Sequence, residues 1–230
     1  QAAGGLVQHR HVAVQTRQAQ QGRTRLGRQL AADVGQGGRV LGGQGLVDAG
    51  HRVGGQGLAG QHGWGHWAVN AFRTRIDDLI AYDSSIRGPA NVDEARIRGV
   101  EWVLGSRLLG LDWNANYTLL EPENRSGGAN DGNELARRAK QIFNLDLDRR
   151  LGAFSLGASL HAEGQRYDDL ANTRELSGYA SLDLRGEYRI SPEWRLQTRV
   201  ANLLDADYET AEGYNQPGQA LYLSVRYQAL

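Results

Sequence analysis

Leu221-Tyr222-Leu223-Ser224-Val225-Arg226-Tyr227 alternates without a break. Leu221, Leu223, Val225 and Tyr227 share one face, and Tyr222, Ser224 and Arg226 share the other. That period of two is the mark of a β-strand. A strand that is apolar outside and charged inside suits a closed barrel in lipid.

The pattern recurs upstream. From Trp64 onward the chain reads as eight strands, at about 66–81, 93–104, 109–120, 136–148, 152–166, 176–190, 194–202 and 221–227. In the third, Leu109, Leu111, Trp113, Ala115, Tyr117 and Leu119 oppose Asp112, Asn114, Asn116 and Thr118. In the fourth, Phe143, Leu145 and Leu147 oppose Asn144, Asp146 and Asp148. The first shifts parity along its length, which predicts a bulge. Short turns are expected at about 105–108, 149–151 and 191–193, and longer polar loops at about 82–92, 121–135, 167–175 and 203–219. Short connections on one side and long ones on the other are the pattern of an outer-membrane barrel. An aromatic girdle at the short-turn end is expected from Trp102, Trp113, Phe154, Tyr188, Trp194 and Tyr227. A soluble sandwich has no reason to place aromatics at one end of nearly every strand.

Composition agrees. The 230 residues carry no net formal charge, 23% charged side chains and no cysteine. That excludes a disulfide framework, thiolate metal sites and a cysteine nucleophile. Balanced charge argues against nucleic acid as a partner. No run is long and apolar enough for a transmembrane helix. The chain starts with Gln1 and has no Met, so it is expected to be a fragment or a conceptual translation, with any export signal outside it.

Residues 1–62 differ in texture and form the first of two expected regions. They use a narrow Gly/Gln/Arg-rich alphabet without aromatics, Lys, Glu, Ser, Pro or Ile. Such glycine density opposes both helix and strand, apart from a weak helix around Leu26 to Val34. The tail reads as disordered, or as an out-of-frame stretch of a GC-rich gene that regains its frame near Gly63. His9, His11, His51 and His62 lack metal-ligand spacing. Residues 63–230 form the second region, the barrel strands.

Several motifs carry a family resemblance. Asn202-Leu203-Leu204-Asp205, Tyr208-Glu209-Thr210, Gly213-Tyr214 and Pro217-Gly218 resemble the C-terminal signature of TonB-dependent outer-membrane receptors. So does the stretch from Asn70-Ala71-Phe72 through Ile76-Asp77-Asp78-Leu79-Ile80. Leu135-Ala136-Arg137-Arg138-Ala139-Lys140-Gln141, Arg166-Tyr167-Asp168 and the Tyr208 to Tyr214 spelling are most similar to the cobalamin-receptor branch. The resemblance implies an all-β fold: about eight C-terminal strands of a 22-stranded antiparallel transmembrane barrel, preceded by an irregular tail. It implies active uptake of cobalamin across the outer membrane, with lipid, TonB and the barrel-assembly machinery as partners of the parent chain. It further implies that Arg137 contacts the corrinoid, whose amide arms and phosphate suit a guanidinium. The branch's tyrosine after Arg-Tyr-Asp falls on Leu170 or Ala171 here, so Tyr167 is the substitute candidate. Its calcium sites lie on earlier loops.

Asp168-Asp169 and Asn130-Asp131-Gly132-Asn133-Glu134 do not meet the EF-hand spacing, so no metal is assigned. No catalytic constellation, phosphate loop or cofactor motif appears, so no enzyme is expected. His161 reads as a lumen residue. Three further readings stand beside cobalamin uptake: a siderophore receptor of the same family, a small outer-membrane barrel (a pore or an enzyme), and a non-functional frameshifted remnant with open edges.

Overall fold

Cross-strand register turns the alternation into two faces. The computed structural model describes residues 39–48, 51–83 and 85–229, with side chains from residue 54 onward. The long strands are β1 (Arg39–Asp48), β2 (His51–His62), β3 (Gly65–Asp83), β4 (Gly88–Leu108), β5 (Leu111–Asn124), β6 (Gln141–Leu151), β7 (Phe154–Glu163), β10 (Tyr179–Arg189), β11 (Trp194–Ala201) and β14 (Ala220–Tyr227). They form one antiparallel sheet in the order β1-β2-β3-β4-β5-β6-β7-β10-β11-β14. Two ribbons lie in the loops: β8 (Arg166–Tyr167) with β9 (Glu175–Leu176), and β12 (Glu209–Ala211) with β13 (Tyr214–Asn215). Among the described residues β1 and β14 each have one neighbour, so the sheet is open at both edges.

All eight strands expected from Trp64 onward are present, but β4 and β6 run on through the turns expected at 105–108 and 149–151, which fall instead at 109–110 and 152–153. Leu104, Ala115, Leu145, Leu160 and Leu182 lie side by side across β4, β5, β6, β7 and β10. The neighbouring row runs Trp113, Leu147, Ala158, Leu184, Val200 and Leu221. Both rows are apolar throughout, which is what a lipid-facing surface requires. Toward the short turns Phe154 stacks on Tyr188, with ring centroids 4.6 Å apart, and Trp194 packs against Tyr227 at 4.9 Å. These four and Trp113 fit the expected girdle. Trp102 instead pairs with Tyr117 further along the strands.

The opposite face is polar and laced with ion pairs. Arg185 reaches Asp148 at 2.7 Å, and Arg199 reaches Asp183 at 2.5 Å. Asn144 donates to Asn116 at 2.8 Å. Asn116 and Asn144 are directly opposed, while Arg185 reaches Asp148 across Gly157 and Arg199 reaches Asp183 diagonally; such cross-strand pairs of opposite charge or matched polarity support the sheet they sit on.

Three expectations are corrected. The irregular tail does not extend to residue 62: strands occupy Arg39–Asp48 and His51–His62. The ladder needs only backbone groups, and glycines leave room for their neighbours' side chains; the Trp67 ring lies where a Cβ at Gly60 would be. The weak helix near 26–34, and residues 1–38 generally, lie outside the described residues. The long loop at 82–92 is a tight hairpin, because β3 and β4 run on to Asp83 and from Gly88. The parity shift in β3 is not a one-residue bulge. The β3–β4 register holds from Gly65 to Asp83, while Asp78 adopts a left-handed φ of 57° and Asp78 and Asp93 drop out of the ladder.

That break brings two pairs three residues apart, Ile76 with Ala95 and Leu79 with Val92, into one apolar cluster. Strict alternation would send them to opposite faces. Below the break, the outward side chains change from Val69 and Ala71 to Arg73 and Arg75, while buried Ile76 and Ala95 face inward. The polarity of the two faces inverts where the strands leave the apolar band.

Candidate functional site

The loops at the end away from the short turns converge on the Ile76 cluster. Leu135 comes from the loop at 125–140 and Leu170 from the loop at 164–178. Both are buried against Ile76, Val92 and Ala95. Around this apolar seat the two loops are tied by polar contacts. Asn172, at φ 57°, accepts from the Glu134 N–H at 2.7 Å and donates to the Glu134 carbonyl at 3.0 Å. Asn133 donates to the Leu170 carbonyl at 3.0 Å. A side-chain amide that reads one residue's N–H and C=O imitates a strand partner.

Arg137 sits at the centre of this junction. Its backbone is left-handed, with φ 58°, and its N–H donates to the Tyr167 carbonyl at 2.6 Å. Its guanidinium grips the buried Asp168 carboxylate at two points, 2.6 and 3.2 Å, and lies 4.3 Å from the centre of the Tyr82 ring. A forked arginine–carboxylate contact fixes orientation as well as position. Thus the two residues singled out in the sequence, Arg137 and Tyr167, are adjacent. They meet through the Tyr167 backbone, and the Arg137 head is engaged by the protein itself.

The Arg-Tyr-Asp-Asp run is largely buried. Arg166 donates to the Glu209 carbonyl at 2.7 Å, approaches Glu163 at 3.5 Å and faces the Tyr179 ring, which ties the β12–β13 ribbon to β7. Asp169 accepts from the Thr173 N–H at 2.9 Å, the Thr173 hydroxyl at 2.8 Å and the Arg174 N–H at 2.9 Å. Burial pushes the Asp169 carboxyl up, but these donors outweigh it and hold the group below the ordinary carboxylate value. A depressed folded value stabilises the loop above the unfolded pKa, and that contribution is lost as pH falls through the folded one. Loop 164–178 should therefore keep its protection against protease from neutral pH down to about pH 5 and lose it below about pH 4. A proteolysis series across that range checks this. Unchanged protection at pH 3 would contradict it.

Asn202 organises the third loop. It donates to the carbonyls of Ala206 at 2.9 Å and Pro217 at 3.3 Å, and accepts the Ala206 N–H at 2.9 Å. Asp205 accepts the Gln219 N–H at 2.7 Å. The Asn-Leu-Leu-Asp signature thus closes the loop at 202–219. The Arg174–Glu212 ion pair links this loop to its neighbour.

Below the loops, the inner wall carries Asn116, Asn144, His161 and Glu163, with Tyr179 stacked on Tyr208 at 4.0 Å. His161 Nδ1 lies 2.6 Å from Asn144 Oδ1, and Nε2 lies 3.2 Å from Glu163 Oε1. Two acceptors flank the ring, so in its cationic form both nitrogens donate. The wall offers hydrogen bonds and ring faces to a bulky polar ligand. His161, expected as a lumen residue, lies on the polar face of the sheet. Arg166, Asp168 and Tyr208 stand in motifs quoted from the sequence but without a site role, and Asn172 and Tyr179 were not singled out, although Asp and Arg together in a loop motif are a signal of internal pairing.

Comparison with known proteins agrees with this architecture. The family profile described as "TonB dependent receptor-like, beta-barrel" matches residues 47–203. The match begins within the first sixty residues, as the strands do. The vitamin B12 transporter BtuB of Photobacterium profundum is 30% identical over 178 residues, 74% of this chain and 29% of that protein. The siderophore receptor PiuA from Acinetobacter baumannii superposes with a TM-score of 0.63 at 23% identity, over 77% of this chain and 28% of that one. The ferric citrate transporter FecA gives 0.66 at 17% identity, over 77% and 31%. The chain therefore spans less than a third of the length of these relatives. An apolar outer face, a charged inner face, short turns at one end, loops at the other and a family match over most of the chain converge: this chain belongs to the TonB-dependent receptor family, transport proteins of the outer membrane rather than enzymes.

Proposed function

We propose that this chain forms part of the wall of a receptor that captures a bulky metal chelate at the cell surface and passes it inward, driven through TonB. The observation that carries this is the docked loop cluster above a polar inner wall. Arg137, Asp168, Asn172, Leu135 and Leu170 hold the loops in place, and the Tyr179–Tyr208 stack and the Asn116–Asn144–His161 row face the lumen.

Two ligand classes fit. A ferric siderophore is favoured by the ligands for which PiuA and FecA are named. It is also favoured by the fate of the corrinoid contacts: Arg137 is engaged by Asp168, and Leu170 is buried where the branch's tyrosine would fall. Cobalamin is favoured by BtuB, the relative at 30% identity, and by the Leu135 to Gln141 run. In the cobalamin reading Arg137 and Tyr167 keep their proposed ligand roles, with Arg137 reaching the corrinoid through donors that Asp168 does not use.

Equilibrium binding of cyanocobalamin and of a panel of ferric siderophores to the full-length product of the gene decides between them. Saturable binding of one class names the ligand. Binding of neither overturns the uptake reading in favour of a remnant. Resequencing the DNA across the codons of residues 1–62 tests the out-of-frame reading of the tail, and an intact frame removes it.

A further inference from the structure

Arg73 and Arg98 stand directly opposite each other across β3 and β4, and Arg75 faces Arg96 one alternate step further on. Like charges so placed repel. The second pair is neutralised within the protein: Arg75 bonds Glu94 at 2.7 Å and Asp77 at 3.2 Å, and Arg96 bonds Glu123, which Arg125 also holds. The first pair is neutralised only in part, on the Arg98 side. Arg73 makes no hydrogen bond or ion pair among the described residues. Arg98 comes only to 3.8 Å from Glu123 and 3.9 Å from Glu121, beyond hydrogen-bond reach.

The position of the pair identifies its partner. Along this face the rows are Val69 with Trp102, Ala71 with Val100, and then Arg73 with Arg98. The arginines are the first charged pair beyond the apolar band, on the outward face. At that level an arginine stem lies along lipid and its head reaches the headgroup layer. Arg73, with no partner among the described residues, and Arg98, held only by two long ion pairs, match a phosphate, which accepts forked hydrogen bonds from both and cancels their repulsion.

We propose that Arg73 and Arg98 bind a phosphate of an outer-leaflet lipid headgroup, an inference that rests on the outer-membrane placement and is independent of the transported ligand. Glu121, opposite Arg98 on β5, bounds the site on that side.

The test mixes the full-length product of the gene, in detergent, with diphosphorylated lipid A or the same lipid stripped of its phosphates. The phosphorylated lipid should bind at least about tenfold more tightly, and Arg73→Gln with Arg98→Gln should weaken it roughly 10- to 30-fold. Arg73→Lys with Arg98→Lys should fall between, since a point charge remains without the fork. Arg149→Gln, at the other end of the strands, should leave binding unchanged. Arg73→Gln alone removes no bond within the protein, so its loss of binding reads out the site even where the double variant fails to fold. Equal binding of both lipids, an unaffected double variant, or full displacement by millimolar inorganic phosphate overturns the proposal.

Discussion

Leu160→Arg should destabilise the folded sheet in lipid by about 2–4 kcal/mol, whereas Ser155→Arg on the same strand should change it by less than about 0.5 kcal/mol. Leu160 is flanked by Leu145 and Leu182, in a row that is apolar across five strands. A charge there has hydrocarbon on one side and aliphatic side chains on both others. Ser155 faces the lumen between Arg150 and Glu187, where a new guanidinium meets water and a carboxylate. Reversible unfolding from lipid vesicles measures both. Equal costs would mean that the outer face is not in lipid, and the membrane assignment of this surface would fall.

The same two faces explain what the sequence made legible. In β5, β6, β7 and β14 one face is apolar along nearly the whole strand, so alternation alone located them. It understated β3 and β4, because their outward side chains turn from Val69 and Ala71 to Arg73 and Arg75 above the band, while Ile76 and Ala95 turn inward. A reader following one apolar parity loses the strand at that inversion. β2 was missed for a different reason. Gly55, Gly57 and Gly60 present no side chain for a pattern to act on, yet their backbone groups pair with β3 without interruption.

The site was legible only in part. The resemblance pointed to Arg137 as a ligand contact; the structure shows it at the centre of the loop junction, bound to Asp168. What it touches was hidden, because Asp168 lies 31 residues away and is brought in by a loop whose shape depends on Asn172 and on the Asp169 turn. Spacing rules work within an element and carry no information about two loops that dock over a shared apolar seat. Buried Leu135 and Leu170 also gave no periodic signal, each being a lone large apolar residue followed by an alanine in a polar stretch.

That seat yields the second large effect. Leu170→Asp should cost roughly 3–4 kcal/mol, because a carboxylate would enter a cluster of Ile76, Val92, Ala95 and Leu135 with no cation in it. The loss should be local. Loop 164–178 would leave its seat, separating Asn172 from Glu134 and Asp168 from Arg137, while the apolar rows across β5, β6, β7 and β10 stay paired. Hydrogen exchange should accelerate at Thr173 and Arg174, whose N–H groups bond Asp169, and remain slow at Leu145 and Leu160. On the proposed function, ligand affinity should fall with loop protection, because preorganised loops lose less freedom on binding. Arg137→Gln separates the two roles of that residue. It weakens the forked contact yet leaves the apolar seat intact, so exchange in the loop should rise less than in Leu170→Asp. A larger loss of affinity than in Leu170→Asp, with the loop still protected, would assign Arg137 to the ligand. An affinity loss that tracks loop exchange in both variants would assign it to holding the loops in place.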